Sequence, residues 1–126
     1  MWIKTNPNPC GRSVGDCSVR AVAVALDITW EEAFGILSDA AYKMCDMPAS
    51  NSVIGAVLRM NGFRVSPVSD ICTIAEYVRD HPRGIKVMFT TGQTGHVATA
   101  IGQNLYDAWD SSNEFIQLVW YRKDDY

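Results

Sequence analysis

The sequence predicts an α+β fold in which several helices precede an antiparallel sheet. Helix caps and helical periodicity fill the first two thirds of the 126 residues, whereas short β-branched segments separated by turn residues fill the last third. Helices and strands that are segregated along the chain are typical of α+β folds, since parallel α/β folds alternate them. At this length, and with 48% apolar residues, we expect residues 1–126 to form a single domain.

Four helices are predicted from apolar periodicity and from residues that commonly begin a helix. Asp16 precedes an Ala- and Val-rich run and is a candidate N-cap. Thr29 stands three residues before Glu32, and the same spacing joins Thr73 to Glu76. This spacing is typical of the capping box, in which each residue satisfies a backbone N–H of the other. The predicted helices cover residues 17–26, 29–44, 50–61 and 73–80.

Four strands are predicted in the last third of the chain. Apolar and β-branched segments alternate there with short turns rich in Gly, Asn and Ser, a pattern typical of hairpins. The predicted strands cover residues 84–91, 95–102, 105–110 and 115–122. Because their connections are short, we expect the neighbouring strands to be antiparallel.

The composition argues against several classes of partner. The formal net charge is −3 and the basic residues are scattered, so bulk electrostatics attract neither nucleic acid nor an anionic membrane. No apolar stretch approaches the ~20 residues of a membrane span, and the first residues lack the apolar segment of a secretory signal. We therefore expect a cytoplasmic protein of bacterial or phage origin that binds neither nucleic acid nor membrane.

The four cysteines and two histidines predict neither a disulfide framework nor a metal site. Their spacing contains no C-x-x-C pair and matches no small secreted framework. Two histidines without such a pair leave a structural zinc site unsupported. We expect reduced thiols, no metal and no cofactor.

One cysteine stands where a thiol can be activated. Cys17 follows Gly-Asp and begins the first predicted helix. The unpaired N–H groups and the dipole of a helix N-terminus stabilise a thiolate, which lowers the pKa of the thiol. The backbone N–H of Cys17 is also placed to bind the oxyanion that forms when the sulfur attacks a carbonyl. Cys17 is therefore the candidate nucleophile.

A nucleophilic thiol needs a base, and the base needs a group that orients it. His96 begins the second predicted strand, and two carboxylates, Asp107 and Asp110, lie on the third. A two-residue turn at 102–103 places Asp107 on the face of His96. A three-residue loop at 102–104 places Asp110 opposite His96 instead. The sequence leaves both registers open.

Three short motifs occur along the chain in a suggestive order: "GDCSVRAVAVAL" at 15–26, "GHVATAIG" at 95–102 and "YDAWD" at 106–110. Together they resemble the papain-like cysteine peptidases, and most closely the C39-like, bacteriocin-processing branch. The first motif is similar to the Asp-Cys and small-residue helix of that branch, and the second to its Gly-His-hydrophobic strand. The third resembles the segment in which a Trp follows the third triad residue and shields the His–carboxylate hydrogen bond.

The resemblance implies a papain-like fold and an enzyme that cleaves a peptide or amide bond in a peptide or protein substrate. It implies that Cys17 is the nucleophile, His96 the general base and acid, and Asp107 the orienting carboxylate. Trp109 would then cover the pair formed by His96 and Asp107, and Asp16 would support the site from beside the nucleophile.

The second oxyanion donor is the point at which this chain differs from the family. The family usually places a Gln five or six residues before the Cys, whereas Arg12 and Gly11 occupy those positions here and no Gln precedes Cys17. Asn6, Asn8 and Arg12 are the candidates for that donor. The departure keeps two alternatives open: a papain-like binding or regulatory domain without activity, and an acyltransferase or amidase on the same fold.

Overall fold

The computed structural model describes residues 1–91 and 95–122, which contain four helices and a six-stranded mixed sheet. In chain order the elements are β1 (Trp2–Lys4), α1 (Cys17–Leu26), α2 (Trp30–Met44), α3 (Asn51–Met60), β2 (Phe63–Pro67), α4 (Ile74–Asp80), β3 (Ile85–Thr90), β4 (Val97–Ile101), β5 (Asn104–Asp107) and β6 (Ile116–Arg122). The predicted α+β class is confirmed. None of the helices in the described ranges combines the length and the apolarity that crossing a bilayer requires.

The helix starts follow the capping residues of the sequence, with one difference. Both capping boxes form, and in α2 the Thr29 hydroxyl accepts from the Glu32 N–H at 3.1 Å while the Glu32 carboxylate accepts from the Thr29 N–H. Asp16 occupies the N-cap position of α1, but its side chain makes no capping hydrogen bond. The predicted N-cap position is therefore confirmed, but the Asp16 carboxylate binds the Arg20 and Trp30 side chains instead of a helix N–H.

The sheet contains two strands that the sequence did not predict. Its strand order is β1-β5-β4-β3-β6-β2, so both unpredicted strands, β1 and β2, lie at the edges. β1 pairs with β5 in parallel, which makes the sheet mixed rather than antiparallel as expected. The side chains of β1 are exposed and only Phe63 of β2 is buried, so neither strand shows the half-buried alternation from which strands are predicted.

Helices cover both faces of the sheet. Val87 and Phe89 of β3 belong to the core that α1, α2 and α3 form on one face, whereas Met88 packs with Ile74 and Val78 of α4 on the other. Successive strand residues point to opposite faces. A strand buried on both faces therefore carries consecutive apolar residues, as β3 does at Val87, Met88 and Phe89.

The β4–β5 hairpin has the two-residue turn. Ile101 pairs with Asn104, so only Gly102 and Gln103 lie between the strands. β5 then ends at Asp107 rather than at residue 110 as predicted. Of the two registers that the sequence left open, this is the one that favours Asp107.

A buried hydrogen bond joins helix α1 to the sheet. The Thr99 hydroxyl of β4 donates to the carbonyl oxygen of Ala21 at 2.8 Å. Ala21 lies one turn after Cys17. The first residue of α1 is therefore held close to the beginning of β4.

Candidate active site

Three predicted site residues meet where α1 begins, β4 begins and β5 ends. Cys17 is the first residue of α1, His96 directly precedes β4, and Asp107 is the last residue of β5. Nε2 of His96 lies 2.6 Å from Oδ2 of Asp107, and the Cys17 and His96 side chains lie close enough for each to shift the pKa of the other. Because Asp107 occupies Nε2, Nδ1 is the ring nitrogen that remains for the sulfur.

The surroundings of Cys17 and His96 favour the charged form of both. Burial raises the pKa of the Cys17 thiol, but hydrogen bonds with His96 and the Val97 backbone, and the charges of His96 and Arg20, bring this pKa below its ordinary value. Burial lowers the pKa of His96, but hydrogen bonds with Asp107 and Cys17 and their charges raise it to about 9. The two shifts therefore favour a thiolate–imidazolium pair over a neutral thiol and a neutral imidazole.

Asp107 is buried and both of its carboxylate oxygens are occupied. Oδ2 accepts from the Ser111 hydroxyl at 2.6 Å as well as from His96, and Oδ1 accepts from the Ala108 N–H at 2.7 Å. Burial raises the pKa of this carboxyl, but the hydrogen bonds from His96 and Ser111, the His96 charge and the Ala108 N–H lower it below its usual value. Asp107 therefore stays ionised and cannot rotate without breaking several hydrogen bonds.

Arg20 links the helix start to the Asp107 carboxylate, and sequence reasoning missed it. It is buried on α1, one turn after Cys17. Its guanidinium forms an ion pair with Asp16, and its Nη2 lies 3.6 Å from Oδ1 of Asp107. Asp16 also accepts a hydrogen bond from the Trp30 indole at 2.9 Å. Asp16 thus supports the site by holding Arg20.

Trp109 and Asp110 follow the triad carboxylate but lie in different surroundings. The Trp109 ring centroid is 4.7 Å from that of His96, and the rings are inclined by 44°, so Trp109 covers the imidazole. Asp110 is exposed, and its Oδ1 accepts from the Ser112 N–H at 3.1 Å in a local turn. Asp110 forms no hydrogen bond with His96, so the alternative register, in which Asp110 would orient this residue, is not the one that forms.

The asparagine side chains of the loop before Cys17 form hydrogen bonds with other residues of the same loop. The Asn8 amide nitrogen lies 3.4 Å from Oδ2 of Asp16, and its amide oxygen accepts from the backbone N–H groups of Cys10 and Arg12. The Asn6 amide donates to the Arg12 carbonyl oxygen at 3.2 Å. The structure therefore does not place any of the three predicted oxyanion donors in the cleft, because their polar groups stabilise loop turns or lie outside it.

No family model matches this chain, and neither a curated protein nor a solved structure matches it. The papain-like resemblance therefore stays a prediction based on motifs. In the described part of the chain, no group of three or more His, Cys, Asp and Glu side chains could hold a metal ion. All four cysteines are free.

The sulfur opens onto a surface cleft of about 310 Å³. The cleft is lined by Val14, Gly15, Cys17, Arg20, His96, Trp109 and Glu114. A neighbouring cavity of about 370 Å³ shares Val14 and Gly15 with it and has a mainly apolar wall that includes Trp30, Phe34 and Met47. A substrate carbonyl therefore has space beside Cys17, with a polar wall on the His96 side and an apolar cavity beyond Gly15.

Proposed function

We propose that this protein is a cysteine hydrolase that cleaves a peptide or amide bond. The observation that carries the proposal is that Cys17, His96 and Asp107 come together at one cleft. Asp107 contacts His96 at 2.6 Å, and both His96 and Cys17, the first residue of a helix, line the cleft. A thiol activated by an oriented imidazole is the arrangement that nucleophilic acyl transfer needs.

The proposed reaction begins when the Cys17 thiolate attacks the substrate carbonyl carbon. The negative charge that develops on the carbonyl oxygen is stabilised by the Cys17 backbone N–H, which is unpaired at a helix N-terminus. His96 donates its proton to the leaving amine, the C–N bond breaks, and a thioester remains on Cys17. His96 then takes a proton from water as the water attacks the thioester, which releases the carboxylic acid and restores the thiolate.

Asp107 and its neighbours keep the imidazole ready for both proton transfers. The carboxylate fixes His96 through Nε2 and stabilises the imidazolium. Trp109 packs against the imidazole ring and shields this hydrogen bond from water. The order of helix-borne Cys, strand-borne His and a carboxylate followed by Trp supports a papain-like fold of the C39-like type as part of the proposal.

The experiment that tests the proposal is alkylation of the native protein by iodoacetamide, with each cysteine quantified by mass spectrometry. We expect Cys17 to react faster than the other three cysteines, and His96→Ala to remove that advantage. His81→Ala is the matched control, because it changes the other histidine, which does not line the cleft. Equal labelling of all four cysteines, unaffected by His96→Ala, would contradict the proposal.

A second candidate is a binding or acyl-transfer domain on the same fold. The loop amides, which do not supply a second oxyanion donor in the cleft, favour binding, because acyl transfer and hydrolysis need the same oxyanion stabilised. Incubation with a mixed peptide library, with and without an added amine acceptor, separates the two functions. New carboxyl termini indicate hydrolysis, products joined to the amine indicate acyl transfer, and an unchanged library indicates binding alone.

A further inference from the structure

We propose that the leaving-group side of the cleft binds a positively charged group and that Glu114 determines this specificity. The substrate class is then a peptide or amide with a Lys, an Arg or a free amine shortly after the scissile bond. The catalytic meaning of this inference rests on the proposed function. The binding preference itself is independent of turnover.

Glu114 presents an unengaged carboxylate on the wall of the cleft. Its backbone is fixed on both sides, because its N–H donates to the Ser111 carbonyl at 3.0 Å and its own carbonyl accepts from the Ile74 N–H at 2.9 Å. The residue is half-buried and lines the same cleft as Cys17 and His96. Within residues 1–91 and 95–122, the Glu114 carboxylate takes part in no ion pair or hydrogen bond.

The charges around the sulfur favour a cation over an anion. Negative groups outnumber positive ones by two, whether the shared proton lies on the sulfur or on the imidazole. With the proton on the imidazole, the negative groups are Asp16, Cys17, Asp107 and Glu114, and the positive groups are Arg20 and His96. Arg20 already faces the carboxylates of Asp16 and Asp107, so Glu114 has no nearby counterion among them. A cleft with one excess sign of charge concentrates ligands of the other sign.

The position of His96 identifies which side of the substrate Glu114 faces. His96 must give its proton to the leaving amine, so the leaving group lies against the imidazole. Trp109 covers that imidazole and is 44% exposed, which leaves aromatic surface on which a cation can pack. Glu114 lies in the same connection between β5 and β6 as Trp109, and both residues line the cleft, whereas Val14 and Gly15 also line the apolar cavity.

The test compares a cationic with an anionic methanethiosulfonate, a pair of small thiol reagents that differ in charge. The rate constant of each at Cys17 is measured by mass spectrometry of the native protein. We expect the cationic reagent to react faster, and Glu114→Gln to reduce the cation-to-anion rate ratio by about three- to tenfold. Glu114→Lys should invert the preference. Glu31→Gln is the matched control, because Glu31 is exposed and does not line the cleft.

A pair of fluorogenic peptides that differ only in Lys or Glu after the scissile bond extends the test to substrates. We expect faster cleavage of the Lys peptide and a smaller difference in Glu114→Gln. A rate ratio for the thiol reagents that stays the same in Glu114→Gln and Glu114→Lys overturns the inference, even if hydrolysis occurs. A ratio that shifts as expected without cleavage of either peptide supports the charge preference and contradicts the hydrolase.

Discussion

At the scale of single residues, the proton shared by Cys17 and His96 controls the chemistry. The pKa of His96 is raised to about 9 because Asp107 and the thiolate stabilise the imidazolium. A raised folded-state pKa means that His96 contributes its full stability below its ordinary pKa and loses that contribution as the pH rises through about 9. The lowered pKa of Cys17 has the opposite sense, so its contribution is lost as the pH falls. The stabilising effect of the ion pair is therefore limited to the pH range between the pKa of Cys17 and the pKa of His96.

This coupling predicts different pH profiles for alkylation and for hydrolysis. The alkylation rate of Cys17 should rise as the thiolate forms, at a pH below the ordinary pKa of a thiol. The rate should then stay high, because alkylation needs no acid. Hydrolysis should follow the same rise but fall above about pH 9, where His96 loses the proton that the leaving amine requires. Rates measured from pH 4 to 10.5 check both curves. In His96→Ala the midpoint of alkylation should move upward, and an unchanged midpoint would argue against the ion pair.

The sequence indicates the candidate triad but not all of the residues around it, for a physical reason. Cys17 is predicted from its place at a helix start, which is a local pattern, whereas strand alternation leaves Asp107 and Asp110 open and only the resemblance of the YDAWD segment favours Asp107. Arg20 is the one charge in an otherwise apolar helix, and Asp16 four residues earlier was the signal of its partner. Ser111 and Glu114 lie between β5 and β6, where no periodicity indicates which way a side chain points.

At the scale of elements, a buried lysine fixes the hairpin that carries the site. Lys86 of β3 is fully buried, and its Nζ donates to the carbonyl oxygens of His81, Arg83 and Gly102 at 2.8, 2.9 and 2.9 Å. These carbonyls belong to the end of α4, the following loop and the β4–β5 turn. One ammonium therefore ties three segments together, including the turn that sets the register of His96 and Asp107.

Replacing this ammonium is expected to weaken the fold. Lys86→Met keeps a similar length but removes the three hydrogen bonds of the ammonium, so three partly buried carbonyl oxygens lose this donor. Because relief of the buried charge offsets part of that cost, we expect a loss of about 2 kcal/mol in the free energy of unfolding. Urea denaturation measures it. Lys43→Met changes an exposed lysine and should leave the midpoint near its original value, whereas a Lys86→Met protein as stable as the parent would contradict the prediction.

The edge strands show why elements can be missed while the fold class is predicted. β1 has three residues, and it forms because its backbone pairs with β5, about a hundred positions later. The Trp2 indole and the Thr5 N–H both donate to the Asp107 carbonyl oxygen, at 3.1 and 2.8 Å. Such pairing depends on a distant partner, so no local pattern reveals it. It nevertheless holds the strand end that carries the triad carboxylate.

At the scale of the whole molecule, the site exists only because two layers are in register. Cys17, the proposed nucleophile, belongs to the helices, while His96 and Asp107 lie at the ends of sheet strands. Neither layer contains a complete site. The buried hydrogen bond from Thr99 to the Ala21 carbonyl joins the two layers one turn from Cys17. Reactivity of Cys17 should therefore depend on this interface more than on packing elsewhere in the core.

Two core substitutions test this dependence. Thr99→Val keeps the shape of a fully buried side chain but removes the hydrogen bond, at a cost of about 1 kcal/mol. Gly55 belongs to α3, where it faces Trp120 of β6, and it does not line the cleft. In Gly55→Ala the new Cβ would meet Cζ2 of Trp120 at 2.8 Å, and this overpacking lowers the free energy of unfolding by about 1–3 kcal/mol. The higher helix propensity of Ala offsets about 1 kcal/mol of that loss.

Both variants should therefore lose similar stability, as measured by urea denaturation, but only Thr99→Val should slow alkylation of Cys17 in the native protein. We expect a reduction of about two- to tenfold, because small displacements of a nucleophile from its base have large effects on rate. If both variants are alkylated at the rate of the parent protein, the reactivity of Cys17 does not depend on the contact between α1 and β4. A rate that falls in Gly55→Ala as well would show that general loosening of the core, rather than the alignment of Cys17 with His96, controls the thiol.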